Sequence, residues 1–455
     1  MNCRIGFVSL GCPKNLVDTE VMLGILGGEG FEIVSEPSEA DVIVVNTCGF
    51  IEAAKEESIQ TVLEMAEYKK RNCKLLIMSG CLAERYHDDI LTEMPEVDAV
   101  VGTGDYTKIA EVIRQAMDGE KPVLFGHMDA PEPEGQPRVV STGGASAYLK
   151  IADGCDNRCT YCIIPKLRGK YRSRRMEDIL SEAEALAADG IREIIVIAQD
   201  TTRYGIDLYG EYRLSELLRQ LCRVDGIHWV RVHYLYPEVI SDELIQAFRE
   251  EEKLVKYMDI PIQHCNDEIL RRMGRHGSKK QLCGLLSKLR REIPGLVIRT
   301  TVIAGFPGET EEAFRELLDF VKEMKFERLG AFAYSQEEDT PAAKLPEQVS
   351  QEVKEQRAAQ ILHVQEEISL MHQQKRIGQQ LEVLVEGYDL DNLMYYGRSY
   401  ADSIDIDTTV YFAAEDEVQP GSFVTVTVLD ADTYDLTGKM EMDGNMEKYG
   451  NEVLE

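Results

Sequence analysis

The chain has 455 residues and a formal net charge of −31, too long for one ordinary core and too acidic to draw in nucleic acid phosphates by charge. Hydrophobic residues make up 44% of it, which excludes a disordered composition, and no apolar run approaches the length of a bilayer span. Met1-Asn2-Cys3-Arg4-Ile5-Gly6 lacks the charged, apolar and small-residue regions of a secretory signal. The expectation is a cytoplasmic protein of about three domains, without membrane association. Eleven cysteines then need a role in a compartment where disulfides are rare, and their odd number argues against a closed disulfide framework. Metal or redox chemistry is the expectation.

Residues 1–120 alternate strand-like segments (4–10, 41–46, 74–79) with helical periodicity (17–26, 53–69), which implies a doubly wound parallel sheet. Residues 121–146 read as a linker, rich in Pro, Gly and Ser from 130 onward. Between 147 and 375 six candidate strands recur, at 147–152, 193–198, 229–235, 257–262, 297–303 and 328–334. Helical segments such as 176–189 and 311–324 lie between most of them, and a long one at 348–374 closes the region. This pattern predicts a partial β/α barrel with its site at the C-terminal strand ends. Residues 376–442 change to short β runs (381–385, 410–412, 422–429) separated by Gly, Asp and Asn, the signature of a small all-β barrel. An acidic tail, 443–455, follows. From 381 onward about eighteen Asp and Glu face only Arg398, Lys439 and Lys448.

The most informative segment is Gly154-Cys155-Asp156-Asn157-Arg158-Cys159-Thr160-Tyr161-Cys162, directly after the first expected barrel strand. Thiolates bind iron–sulfur clusters, and four would saturate a four-iron cluster. Cys155, Cys159 and Cys162 supply three, leaving one iron open to substrate, as at open metal sites generally. Structural zinc would need a fourth Cys or His partner at the usual distance, and none follows. Three thiols in a loop containing Gly, Asn and Arg also do not look like an apolar core face. With the following Ile163-Ile164-Pro165-Lys166-Leu167-Arg168-Gly169, the motif closely resembles the radical S-adenosylmethionine superfamily. That resemblance implies a 4Fe–4S cluster whose open iron chelates the cofactor, a reducing electron donor, and a 5′-deoxyadenosyl radical that breaks an unactivated C–H bond.

Three further cysteines each follow a predicted strand: Ser9-Leu10-Gly11-Cys12, Val45-Asn46-Thr47-Cys48 and Met78-Ser79-Gly80-Cys81. In a parallel sheet all three positions lie on one edge, where ligands bind, and nearby helix N-termini favour thiolates. A single buried cysteine at a strand end is ordinary packing. Three at equivalent positions point to a second 4Fe–4S cluster, also with an open iron. Cys3, Cys73, Cys222, Cys265 and Cys283 lack such grouping and read as packing residues, and His264 reads as structural. Gly305-Phe306-Pro307-Gly308-Glu309-Thr310 follows a predicted strand. Gly305, Gly308 and Glu309 are candidates to approach S-adenosylmethionine, while a plain turn before a capped helix explains the segment almost as well.

The full layout resembles the methylthiotransferase family: a three-cysteine N-terminal domain, a radical barrel and a terminal TRAM (OB-like) domain. Its finer motifs resemble the ribosomal-protein branch. They are Ser9-Leu10-Gly11-Cys12-Pro13-Lys14-Asn15-Leu16-Val17-Asp18, Gln199-Asp200-Thr201-Thr202-Arg203-Tyr204-Gly205, Tyr257-Met258-Asp259-Ile260-Pro261-Ile262-Gln263-His264 and Gly397-Arg398-Ser399-Tyr400-Ala401-Asp402. The tRNA branch typically has Gln-Met at Pro13-Lys14 and Gln-Asn at Gln199-Asp200. Cys265 departs from the more usual alanine and touches no cysteine motif.

The resemblance implies β-methylthiolation of an aspartate in small-subunit ribosomal protein S-twelve, with the sulfur presented by the cluster on Cys12, Cys48 and Cys81 and the methyl group drawn from a second S-adenosylmethionine. The acidic barrel agrees with a basic protein partner and with no direct binding of nucleic acid. Two other readings stay open: a tRNA adenosine methylthiotransferase, and a non-catalytic iron–sulfur electron carrier.

Overall fold

The computed structural model describes residues 3–441; the acidic tail expected at 443–455 lies outside the described residues. The first sheet contains β1 (Arg4–Ser9), β2 (Glu32–Val34), β3 (Val42–Thr47), β4 (Leu75–Gly80), β5 (Ala99–Val101) and β6 (Val123–Leu124). All its strands are parallel, in the order β2-β1-β3-β4-β5-β6. Successive β3 residues point to opposite faces. Val42 and Val44 pack on the side of helices Pro13–Gly28 and Ile109–Met117, and Ile43 and Val45 on the side of Glu52–Ala66 and Cys81–Glu93. Cover on both faces is why β3 reads as an unbroken apolar run.

The second sheet is also parallel and starts with β7 (Ser146–Lys150). A short ribbon, β8 (Ala152–Asp153) with β9 (Arg172–Ser173), interrupts the sequence. The sheet then continues through β10 (Glu193–Ile197), β11 (Trp229–Val232), β12 (Leu254–Asp259), β13 (Val297–Ala304) and β14 (Arg328–Ala333), in the order β14-β13-β12-β11-β10-β7. It curls into the expected partial barrel, with the largest apolar cluster between strands and outer helices. The 24-residue helix Gln351–Gln374 packs beside β14. Among the described residues no helix is long and apolar enough to cross a membrane.

The C-terminal strands β15 (Gln380–Asp389), β16 (Met394–Ser399), β17 (Val410–Ala413), β18 (Phe423–Ala431) and β19 (Leu436–Met440) form a closed barrel. Its segment 398–407 enters the N-terminal end of the β/α barrel. There Glu193 accepts from Arg398 Nη2 at 2.6 Å and from Arg231 Nε at 2.8 Å. Asp402 pairs with Arg328, Asp407 accepts from Tyr257 Oη at 2.6 Å, and Ser403 Oγ lies 2.9 Å from His233 Nε2. Burial drives the His233 imidazole down to about 3, so it stays neutral. Thus Arg398, Asp402 and Asp407, which sequence composition counts as surface charge, are internal fasteners. An apolar layer of Trp229, Tyr257, Leu384 and Ala401 surrounds them.

The expected linker is a strap. Arg138 donates to Glu20 Oε2 through Nε at 2.9 Å and to Glu182 Oε1 through Nη1 at 2.7 Å, joining an N-terminal helix to a barrel helix. Ser141 adds two hydrogen bonds to the fully buried Glu20.

Burial alone would raise the Glu193 carboxyl, but the guanidiniums of Arg398 and Arg231 hold it down at about 2, against an ordinary 4.5. The stability this supplies is complete above about pH 4.5 and is lost as pH falls toward 2. Glu193→Gln should cost about 3–5 kcal/mol at neutral pH, because Arg231 loses its carboxylate partner and Arg398 one of two. It should also flatten the acid limb of stability between those pH values. Urea unfolding across pH checks both outcomes.

Candidate active site: two cysteine triads across a domain seam

The N-terminal triad is built by chain reversals at the C-terminal edge of the first sheet. Cys12 caps helix Pro13–Gly28, Cys48 follows β3, and Cys81 opens helix Cys81–Glu93 directly after β4. Two glycines let these loops touch. A Cβ on Gly11 would sit 3.0 Å from Cys48 Sγ, and one on Gly49 would sit 2.9 Å from the Cys81 backbone. Cys81 lies close enough to Cys12 and Cys48 that thiolates there would raise its pKa.

Burial pushes the Cys81 thiol up to about 12 and also raises Cys48. The helix start was expected to favour a thiolate at Cys81; loss of water overrides it. The Arg168 guanidinium offsets this burial only in part, and a bound metal centre would add the positive charge that favours the thiolates.

The second triad lies beyond β7 and β8 at the barrel mouth. Its loop is tied down by Cys155 N–H to Gly169 O at 3.2 Å and Thr160 N–H to Met273 O at 2.9 Å. Arg158 takes a left-handed φ of 53°, a strained conformation for a residue with a side chain. Cys159 Sγ is 2.6 Å from Tyr236 Oη, and the Arg275 guanidinium lies 3.8 Å from the Tyr236 ring centre. Burial pushes Cys155 up to about 11 and Cys162 further, with the neighbouring cysteines adding to both.

Among the described residues no three Cys, His, Asp or Glu side chains converge on a point that would hold a single metal ion. A four-iron cluster places each thiolate on a different iron, so it needs a more open triad than a zinc ion does. Each triad offers three thiols, the donor set that would leave one iron of such a cluster open.

The two triads meet at Arg168, six residues after Cys162. Its Nη2 lies 3.7 Å from Cys81 Sγ and 2.7 Å from Asn15 Oδ1. Its Nη1 donates to Asp18 Oδ2 at 2.7 Å and to Asp153 Oδ2 at 2.8 Å. Lys150 Nζ reaches the other Asp18 oxygen at 2.7 Å. All four charged groups are buried.

Sequence reasoning did not single out this group. The available signals were Asp18 between the apolar Val17 and Val21 of a buried helix, and a lysine ending the buried strand β7. It also overlooked Gln199 as a site residue: Gln199 Nε2 donates to Asp153 Oδ1, while Gln199 Oε1 is buried without a partner among the described residues.

The 305–310 segment is a turn before the Thr310-capped helix Glu311–Met324. Glu309 commits both carboxylate oxygens internally. Gly305 N–H donates to Oε2 at 2.9 Å, Arg357 Nη1 donates to Oε1 at 2.9 Å, and His264 Nε2 lies 3.4 Å from Oε2. A Cβ on Gly305 would strike Lys354, and one on Gly308 would strike Arg272. His264 is fully buried, in keeping with a structural role.

Arg168→Met should leave Asp18 and Asp153 sharing one cation and destabilise the protein by about 3 kcal/mol in urea unfolding. Arg168→Lys, which keeps a charge but not the fork, should recover only part of that loss.

Comparison with known proteins follows the same three-part layout. Residues 4–102 match "Uncharacterized protein family UPF0004", residues 149–321 the radical SAM superfamily and residues 377–440 the TRAM domain. A protein of Acetivibrio thermocellus named ribosomal protein uS12 methylthiotransferase RimO is 52% identical over 97% of this chain and 99% of its own length. Proteins of the same name from Lachnoclostridium phytofermentans and Clostridioides difficile are 52% and 50% identical, each over 96% of this chain and 100% and 98% of their own. Among solved structures, the radical S-adenosylmethionine methyltransferase TsrM from Kitasatospora setae, with cobalamin and a 4Fe-4S cluster bound, aligns with a TM-score of 0.56. It is 16% identical and covers 75% of this chain and 74% of that one, a likeness of fold. With near-full-length identity at this level and all three parts in the same order, the chain belongs to the RimO branch of the methylthiotransferase family.

Proposed function

We propose that this protein is a radical S-adenosylmethionine enzyme that attaches a methylthio group to the β-carbon of an aspartate in ribosomal protein uS12. The observation that carries the reading is the seam itself: Arg168, on the loop of one cysteine triad, stands 3.7 Å from Cys81 of the other. A reaction that must break a C–H bond and add sulfur to the same carbon needs both centres within reach of one atom.

Cys155, Cys159 and Cys162 would hold one 4Fe–4S cluster and leave an iron position for S-adenosylmethionine. Cys12, Cys48 and Cys81 would hold the second. Bound there, these groups supply hydrogen-atom abstraction from an unactivated carbon and the sulfur and methyl group to be attached.

The protein's own residues supply position and dryness. Tyr236 and Arg275 fix the Cys159 side of the loop, and the buried charges around Arg168 hold the two triads at a set distance. Gln199 Oε1, an acceptor without a partner among the described residues, suits a donor on the cofactor. The turn of Gly305 and Gly308 is a further candidate for cofactor contact through its backbone, with Glu309 holding that turn in shape.

A partner of basic charge fits the exposed carboxylates of the terminal barrel, which include Asp391, Asp416, Glu417 and Asp430. The same charge opposes a tRNA substrate. A reducing electron donor is required.

Anaerobically reconstituted protein should contain two clusters, and the Cys12/Cys48/Cys81→Ala triple variant should lose about half of the iron and sulfide. Cys155→Ala should abolish 5′-deoxyadenosine formation under strong reductant; intact formation would leave a different radical site or none. Methylthiolation of tRNA, with none of uS12, would overturn the substrate assignment.

A further inference from the structure

Lys14 is the second residue of helix Pro13–Gly28 and stands two positions after Cys12. It is 7% exposed, and among the described residues its ammonium forms no salt bridge with a carboxylate, its polar neighbours being Tyr234 and Cys12. Asp18, one helical turn on, would be its natural partner. That carboxylate is occupied by Lys150 at 2.7 Å and Arg168 at 2.7 Å. Lys14 instead lies over the face of Tyr234, with Nζ 3.5 Å from the ring centre. Burying an unpaired ammonium costs far more than an aromatic face returns. Such an arrangement persists where an anion is to be bound.

Tyr234 places that ammonium at the barrel mouth. It follows β11 with a left-handed φ of 61°, a strained conformation for a tyrosine. Its backbone is held from both sides: its N–H donates to Asp259 Oδ2 at 3.1 Å, and its carbonyl accepts from Thr201 N–H at 3.1 Å. The ring packs beside Ile195 and Ile197 of β10 and Val17 of the helix. Lys14 therefore sits in the seam between the cysteine edge of the first domain and the open end of the barrel.

Three anions could meet it. Phosphate from RNA is opposed by the net charge of −31. Of the N-terminal thiols, Cys81 already has the Arg168 guanidinium, and Cys12, the one near Lys14, is on that function committed to iron. On the function proposed above, the reacting carbon carries a carboxylate one bond away and must lie between the two triads. We propose that Lys14 binds the side-chain carboxylate of the substrate aspartate and is the residue by which the enzyme distinguishes aspartate from asparagine.

The test uses full-length reconstituted protein, with preparations matched for iron and sulfide. Two uS12-derived peptides are compared, one with the target aspartate and one with asparagine in its place. Peptide binding is read by fluorescence anisotropy without S-adenosylmethionine, and methylthiolation by mass spectrometry. Wild type should favour the aspartate peptide by about 100-fold, the range of a charge-assisted hydrogen bond in a buried site. Lys14→Met should reduce that preference to about threefold or less, chiefly through binding and KM, and Lys14→Arg should retain most of it. Lys14→Gln, which keeps a polar side chain, serves if Lys14→Met does not load iron.

A Lys14→Met or Lys14→Gln protein that still prefers aspartate as wild type does overturns the proposal. So does failure of both to load iron, which would make Lys14 a partner of the cluster. Wild type that modifies neither peptide but modifies tRNA defeats the function on which the proposal rests and the proposal with it.

Discussion

The buried cluster of Arg168, Asp18, Lys150 and Asp153 is the constraint on which the rest of the site depends. Its members come from a helix of the first domain, a barrel strand and both sides of the CxxxCxxC loop. Two cations and two carboxylates neutralise one another where water is absent. Such a group adds little net stability, yet it severely penalises any other docking of the two domains. The separation of the cysteine triads is therefore fixed by charge pairing, whereas apolar packing would tolerate sliding.

A second polar core does the same work at the opposite end of the barrel. Segment 398–407 of the terminal domain fills the N-terminal opening with Arg398, Asp402, Ser403 and Asp407. The partial barrel is thus closed below by one neighbour and faced above by the other. Conserving reach at the mouth requires a rigid base, and His233 links the two: it contacts Ser403 below and directly precedes Tyr234 above. Outer carboxylates of the terminal domain such as Asp391, Asp416 and Asp430 face solvent, while its inner ones are structural.

The main architecture was legible because parallel sheets demand long apolar runs, and segments such as Val42–Thr47 and Glu193–Ile197 have no other reading. The triad of Cys155, Cys159 and Cys162 was legible from its spacing, and the grouping of Cys12, Cys48 and Cys81 because strand ends in such sheets share an edge. The short strands β2, β5 and β6 carry too few residues to show a period, and β16 begins with a half-exposed Met-Tyr-Tyr. The charge clusters were not legible. Their partners lie far apart in sequence, as with Arg398 and Glu193, and composition cannot tell a buried carboxylate from a solvated one. The same limit made the strap around Arg138 look like a flexible linker.

The contact of Gly11 with Cys48 and of Gly49 with Cys81 draws three loops into one close-packed unit whose cysteines differ in their access to solvent. Cys48 and Cys81 form its buried back wall, and Cys12 is partly open to solvent. Oxidants arriving from solvent would therefore reach Cys12 before either of the other two.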